Sequence, residues 1–335
     1  MFSLFKTIKK NKKSNLSFPP DLLLKTKNSI VDIERLEELF YAQTMGINSL
    51  VDSELNPHET EAIKQLRWIL KNGSDNQDYF PRLPFVLPKL INLLRDEDAE
   101  AKDIAALIES DPILLGDVMR VISSPYYKTR YKVTSLQQAT VLLGRSGLNR
   151  LVANAVLKPL VSAKKGHFSK IGTKLLWDQA DKSAELLAVL CKSNSEQQFY
   201  AYLTSVLQNL GFACGFGTLD KVFDGTYAPD SRAFQLQFLA ECKQLTAQIA
   251  INWSMPTQVC QLLDPKKIKK TNDQMQDIAR KVFVADKISK AQILGAKIGF
   301  DSATTEIILD QQPSQTYKQA LDLVEKKIAK ETAET

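Results

Sequence analysis

Few residues of this 335-residue chain are of the types that carry out metal or nucleophilic catalysis. The chain has two histidines, His58 and His167. A catalytic divalent metal needs several His, Cys or carboxylate ligands at one place. We expect His58 to be an exposed residue in the first turn of a helix and His167 to lie in a polar loop, "KKGHFSK". Neither sits in a pattern that indicates a ligand set or a Ser/His/Asp or Cys/His arrangement.

An acidic run and four cysteines are the other candidates for chemistry. The run "RDEDAE" contains Asp96, Glu97, Asp98 and Glu100. We interpret it as solvated charge at a helix start, where the helix dipole favours acidic groups. The cysteines are widely spaced and form no Cys-x-x-Cys pair: they are Cys191, Cys214, Cys242 and Cys260. We expect them to be reduced, buried, small apolar residues of a cytoplasmic protein.

Two adjacent amides interrupt the apolar stretch "YAYLTSVLQNLGFACGFGTL". They are Gln208 and Asn209, and we expect the glycines that follow, at 211, 215 and 217, to close the helix. Buried amides are nearly always hydrogen-bonded, because an unmet polar group destabilises the fold. The pair therefore belongs to a structural polar network or cleft, or else lies exposed near a helix end. Sequence leaves both alternatives open.

Bulk composition restricts the class of protein. Apolar residues make up 44% and charged residues 24% of the chain, which is ordinary for a globular protein. No apolar run approaches the roughly 18 residues that a membrane span needs. Residues 1–27 hold seven lysines and one aspartate, and their net charge of +6 equals that of the whole chain. The body after this arm is neutral, so it shows no broad basic surface for nucleic acid.

The elements that must position these residues are helices. Apolar residues recur at spacings of three and four along most of the chain, and strand-like alternation is nearly absent. "NPHE" predicts a helix start with Asn56 as the N-cap and Glu59 completing a capping box. We predict an all-α protein in four parts: a flexible basic arm at 1–27, an N-terminal helical segment at 28–80, a main domain at 81–300 and a C-terminal helical extension at 301–335.

From Leu83 to about Trp253 the chain resembles the HDOD family, the all-α signalling domains related to the HD phosphohydrolases. Six stretches show this resemblance, in the family's order and spacing. They are "LPFVLPKLINLL", "IAALIESDPILLGDVMRVISSPYY", "VTSLQQATVLLGRSGLNRLV", "LWDQADKSAELLAVL", "FYAYLTSVLQNLGFACG" and "NWSMPTQV". The resemblance implies a multi-helix HD-like bundle, here with an N-terminal helical extension.

The resemblance also implies a meaning for the amides. Gln208 and Asn209 stand where the HD superfamily places its adjacent His and Asp metal ligands, and Gln179 stands where the "LWxHS" block often has His. Amides are neutral and are weak ligands for a catalytic transition metal. We therefore expect no catalytic residue, no metal and no cofactor. Gln179, Gln208 and Asn209 are instead candidates for a structural polar network or for a remnant cleft that binds a small ligand.

The favoured hypothesis is a non-catalytic domain of bacterial signal transduction that binds an unidentified signalling protein or a small ligand in the cytoplasm. One alternative is a metal-dependent HD-type phosphohydrolase, which the missing ligands argue against. Another is a nucleic-acid-binding regulator. "SLQQATVLLGRSGLNRLV" resembles a helix-turn-helix, but Ala139 and Gly144 are five residues apart and not the usual four. The lysine-rich arm 1–27 keeps open a weak contact with nucleic acid or with an anionic membrane surface.

Overall fold

A computed structural model describes residues 33–72, 87–96, 98–122, 166–191, 195–268 and 271–295, together with the single positions 136, 138 and 147. These residues contain helices and no strand, so the predicted all-α class is confirmed. The predicted arm 1–27, most of the helix-turn-helix-like stretch and the extension 301–335 lie outside the described residues. The helices are α1 (Ile33–Met45), α2 (Pro57–Asn72), α3 (Leu87–Arg95), α4 (Ala101–Glu109), α5 (Pro112–Ile122), α6 (His167–Leu190), α7 (Ser195–Leu207), α8 (Leu210–Val222), α9 (Arg232–Asn252), α10 (Thr257–Leu262), α11 (Pro265–Ile268) and α12 (Asp273–Leu294).

The helix start predicted at Asn56 is confirmed and has a second role. The Glu59 N–H donates to Asn56 Oδ1 and the Asn56 N–H donates to Glu59 Oε2, both at 2.9 Å. Glu59 is fully buried and also accepts hydrogen bonds from the backbone N–H and the hydroxyl of Ser231, at 2.9 and 2.8 Å. Ser231 is the N-cap of α9. One carboxylate therefore joins the starts of α2 and α9, which pack against each other.

The centre of the bundle is α6, which packs against α1, α7, α8 and α12. A second contact surface lies between α8 and α9, where the largest fully buried side chains meet. The ring of Phe238 lies 5.4 Å from that of Phe234 and 6.3 Å from that of Phe216, centroid to centroid. None of the helices in the described ranges is long and apolar enough to cross a membrane.

The prediction that the glycines after Asn209 close a helix is wrong. Gly211, Gly215 and Gly217 lie inside α8. A Cβ atom on Gly211 would be 1.9 Å from the Cys242 carbonyl oxygen, and one on Gly215 would be 2.7 Å from the Cys242 sulfur. The glycines therefore let the backbone of α8 approach α9 closely. This contact between distant segments has no local sequence pattern that distinguishes it from a helix end.

Both histidine expectations are wrong in detail. His58 is half-buried, with its ring edge-on to Phe223 and Tyr227 at centroid distances of 5.3 and 5.2 Å. His167 is exposed but is the first residue of α6, not part of a loop. The start of α6 is capped by a distant carboxylate, since Asp220 accepts the N–H groups of Phe168 and Ser169 at 2.8 and 3.2 Å.

The four cysteines are free thiols, and three of them are buried, as predicted. Cys260 is the exception, because it is only partly buried. Burial raises the pKa of Cys191 to about 11, so its thiol stays protonated at neutral pH. The three buried cysteines therefore pack as small apolar residues.

The close approach of α8 to α9 gives a stability prediction. We expect Gly211→Ala to lower the free energy of unfolding by about 1–3 kcal/mol, because the new methyl group collides with backbone. Gly116→Ala is the matched control, since Gly116 lies in α5 and a Cβ there meets nothing within 4 Å. The control should be neutral or stabilising by about 0.4–1 kcal/mol. Urea denaturation followed by circular dichroism measures both, and equal effects of the two substitutions would contradict this packing.

Candidate functional site

The structure brings together the three amides singled out from the sequence. Gln179 lies on α6 and is fully buried, while Gln208 and Asn209 form the junction between α7 and α8. Asn209 Nδ2 donates to Gln179 Oε1 at 2.7 Å. Gln208 is half-buried, and its Nε2 lies 3.5 Å from the same oxygen.

Asn209 occupies the N-cap position of α8, but its side chain does not cap that helix. Its Nδ2 instead donates to the Leu176 carbonyl oxygen at 3.0 Å as well as to Gln179. An N–H in the first turn of α8 is satisfied from another helix, because the Gly211 N–H donates to Thr246 Oγ1 on α9 at 2.9 Å. Asn209 is thereby left to join the helix junction to α6.

The hydrogen bonds continue from Gln179 to α12. Gln179 Nε2 donates to Asp286 Oδ1 and to Ser289 Oγ, both at 3.0 Å. The other oxygen of Asp286 accepts from Lys287 Nζ at 2.7 Å and from Lys290 Nζ at 3.0 Å.

The same two lysines reach α1. Lys290 donates to both carboxylate oxygens of Glu37 at 3.0 Å, and Lys287 also pairs with Glu37. We call this set the polar network: Asn209, Gln179, Asp286, Lys287, Lys290 and Glu37. It joins α1, α6, α12 and the α7–α8 junction.

The orientation of both amides follows from the groups at their ends. The Leu176 carbonyl oxygen only accepts hydrogen bonds, so Asn209 must present its NH₂ group there. The Asp286 carboxylate also accepts, so Gln179 must present its NH₂ group to Asp286. Gln179 Oε1 is then the acceptor for Asn209. The functional groups of Gln179 are thus bonded to protein at both ends.

The charges at the far end of the network stabilise one another. Burial alone would raise the pKa of Glu37, but Lys287 and Lys290 hold it well below its ordinary value. The same balance holds the pKa of Asp286 low. Burial would lower the pKa of Lys287, but Asp286 and Glu37 raise it. These groups therefore remain ionised at neutral pH.

A cavity open to solvent lies beside the polar network, and its space, including the part shared with solvent, is about 1050 Å³. Gln208, Asn209, Glu37 and Asp286 line it, together with Lys243 from α9. Its remaining walls are mainly apolar and come from α1, α8, α9, α10 and α12, with Phe40, Phe212, Leu239, Leu262 and Phe283 among them. The three amides therefore border a cleft.

The residues at this position do not fit the divalent metal that HD-type hydrolysis uses. The NH₂ group of Asn209 points at two carbonyl oxygens, and an amide nitrogen has no lone pair available for a metal. The carboxylate of Asp286 contacts Gln179, but two ammonium groups also hold it. Among the described residues, no group of three His, Cys, Asp or Glu side chains is placed to hold a metal ion.

Sequence reasoning missed the charged half of the site. Asp286 and Lys290 are four residues apart in "VADKISKAQ", a spacing that puts both on one helix face. That local pair was detectable, but its link to Gln179 spans 107 residues. Glu37 and Lys243 also had no sequence pattern that separates them from surface charge.

Comparison with known proteins now places the chain. The family model for the HDOD domain matches residues 80–267, and the chain belongs to the HDOD family. The resemblance stated from the sequence is confirmed. Helix α12, which supplies Asp286, Lys287 and Lys290, follows the matched region.

Two relatives are similar in sequence. An uncharacterized protein of Treponema pallidum is 25% identical over 182 residues, which cover 52% of this chain and 34% of that protein. The uncharacterized protein YuxH of Bacillus subtilis is 25% identical over 185 residues, which cover 50% of this chain and 42% of YuxH. The matches span less than half the length of either relative.

Three solved structures share the fold. An HDOD domain protein of unknown function from Geobacter sulfurreducens has a TM-score of 0.56 at 16% identity, covering 81% of this chain and 96% of its own. A protein from Shewanella amazonensis SB2B, provisionally named a phosphohydrolase, has a TM-score of 0.51 at 19% identity. The match covers 79% of this chain and 93% of that protein's chain. One from Marinobacter aquaeolei VT8, provisionally named a signal transduction protein, has a TM-score of 0.52 at 19% identity, covering 81% and 64%. At these identities the likeness shows the fold alone.

The orientation of Asn209 predicts that an acid is unfavourable at this position. In Asn209→Asp the carboxylate would face two carbonyl oxygens and could donate to neither, so we expect a loss of about 1–3 kcal/mol of unfolding free energy at neutral pH. Gln208→Glu is the control, and its effect should be smaller because Gln208 is half-buried with one long contact. Urea denaturation compares the two variants, and an Asn209→Asp protein as stable as wild type would show that the network is not built this way.

The low pKa of Glu37 predicts acid sensitivity. A carboxyl group whose pKa is lower in the folded state stabilises the fold above its ordinary value of 4.5, and this stabilisation is lost as the pH falls toward the folded-state value. We expect Glu37→Gln to lower the free energy of unfolding by about 1.5–3 kcal/mol at about pH 7. The difference in unfolding free energy between wild type and this variant should become smaller toward about pH 3.

Glu61→Gln is the control for Glu37→Gln. Glu61 is a half-exposed residue of α2 paired with the exposed Lys64, so its substitution should change the unfolding free energy little at either pH. The measurement is the unfolding free energy of wild type and of both variants between about pH 7 and about pH 3. A gap between wild type and Glu37→Gln that does not depend on pH would contradict the ion pairing.

Proposed function

We propose that this chain is a non-catalytic regulatory domain of bacterial signal transduction. The observation that supports it most is the hydrogen bonding of Asn209 and Gln179. These residues stand at positions where HD enzymes hold their metal ligands, and here their side chains bind other groups of the protein. Hydrolysis of a phosphate ester by an HD-type site depends on a metal that activates water and offsets developing charge. Asn209 presents an NH₂ group, which donates hydrogen bonds and cannot bind a metal ion, so it cannot supply that chemistry.

The charge around Asp286 supports the same proposal. Lys287 and Lys290 both contact its carboxylate, so a cation placed there would meet two ammonium groups. Like charges a few ångströms apart in a partly buried site repel strongly. Removing this repulsion would require the ion pairs with Glu37 to rearrange as well.

The proposed mode of action is binding to a signalling protein in the cytoplasm, with the cleft beside the amides as a place where a small ligand can modify that binding. One fold neighbour is provisionally named a signal transduction protein, which agrees with this role. Another is provisionally named a phosphohydrolase, so metal-dependent hydrolysis is the competing function. The two functions differ in whether metal binds at Gln179.

We expect the purified full chain to bind no stoichiometric Mn²⁺, to keep the same thermal unfolding midpoint with and without EDTA, and to hydrolyse neither bis(p-nitrophenyl) phosphate nor a cyclic dinucleotide. The reason is that no three His, Cys, Asp or Glu side chains of the described residues are placed together to hold a metal ion. Metal analysis, calorimetry and product chromatography measure these three properties.

The control is Gln179→Ala, in which any trace of contaminating hydrolase would persist unchanged. The proposal fails if wild type takes up one equivalent of Mn²⁺, gains thermal stability from it and shows hydrolysis that Gln179→Ala abolishes.

A further inference from the structure

We infer that the cavity beside the polar network binds an amphiphilic monocarboxylate, with its carboxylate at Lys243 and its alkyl chain against the apolar wall. The inference rests on the proposed regulatory function and names the class of small ligand that would act there. The ligand would contact side chains of α1, α8, α9, α10 and α12 that line the cavity.

Lys243 differs from the other lysines of this cavity. Lys287 and Lys290 are both paired with Glu37 and Asp286. Lys243 lines the same cavity but forms no ion pair with any carboxylate in the described residues. Burial lowers its pKa, and Lys287 and Lys290 lower it further, while the nearby charges of Glu37 and Asp286 offset only part of this. An anion that contacts Lys243 would offset the unfavourable burial of this charge.

The charge of the lining favours a single negative charge. The cavity is bordered by three lysines and two carboxylates, which leaves one positive charge unmatched. A doubly charged phosphate would place its second charge in a cavity that already holds Glu37 and Asp286. Gln208 also lines the cavity, and its NH₂ group, whose contact with Gln179 is a long 3.5 Å, adds a donor for the anion.

The apolar wall favours an alkyl chain on that anion. Most of the cavity lining beyond the charged groups is aliphatic or aromatic: Phe40, Phe212, Leu239, Leu262, Leu263 and Phe283. A small inorganic anion would leave these side chains in contact with water, whereas an alkyl chain removes them from it. The cavity is partly open to solvent, so an alkyl chain can enter it beside these side chains. Each methylene buried should tighten binding by about fourfold.

Calorimetric titration of the full chain in EDTA tests the inference with four probes: octanoate, hexanoate, octan-1-ol and adenosine monophosphate. We expect octanoate to bind at one site with a dissociation constant below about 1 mM, and hexanoate and octan-1-ol to bind at least about tenfold more weakly. Adenosine monophosphate, a dianion, should not bind. Absence of saturable octanoate binding, or tighter binding of the nucleotide, would overturn the inference.

Lys243→Met keeps an apolar side chain of similar length and removes the charge. It should weaken octanoate binding by at least about tenfold and leave octan-1-ol binding unchanged. Lys64→Met is the matched control, because Lys64 lies exposed on α2. The Lys64→Met protein should bind octanoate as tightly as wild type does. Equal octanoate affinity in wild type and Lys243→Met would overturn the assignment. The wild-type probe series decides the inference even if a variant fails to fold.

The outcomes separate this inference from the proposed function. EDTA is present throughout, so a metal-dependent activity found separately would contradict the non-catalytic proposal and leave the ligand result standing. A chain that neither takes up metal nor binds octanoate would keep the regulatory proposal and remove this ligand.

Discussion

The hydrogen bonds from Asn209 through Gln179 to Asp286 are the constraint on which the rest of this site depends. They are built from neutral amides whose orientations are set by a backbone carbonyl at one end and a carboxylate at the other. In a metal site, a cation would draw ligands from several helices toward one point. Here amide NH₂ groups perform that cross-linking, and the positive charge is supplied by Lys287 and Lys290 on α12.

Close packing of the surrounding helices holds the residues of the polar network in position. The α7–α8 junction is held in place because Gly211 and Gly215 let α8 lie directly on α9. Glu37 brings α1 to the same lysines, so the N-terminal helix contributes to the site although the family match begins at residue 80. The polar network therefore joins α1, α6 and α12 beside the cavity, and Lys243 of α9 lines the same cavity.

Much of this architecture was predictable from the sequence, for reasons that are local. The 3–4 periodicity, the Asn56–Glu59 capping box and the blocks of the HDOD family all depend on neighbouring residues. The failures are non-local. The glycines of α8 looked like a helix end, and the start of α6 at His167 was missed because its cap, Asp220, lies 52 residues from Phe168. Sequence singled out Gln179 and Asn209, but their charged partners on α1 and α12 needed the fold.

The most direct test of the central claim is a double-mutant cycle between Asn209 and Gln179, with each changed to Ala alone and together. Unfolding free energies are measured once in EDTA and once with Mn²⁺. If hydrogen bonding between amides joins these helices, the coupling energy should be favourable by about 1 kcal/mol and the same in both conditions. A coupling that is absent in EDTA and develops only with Mn²⁺ would show that a metal, not the amide pair, holds the site together.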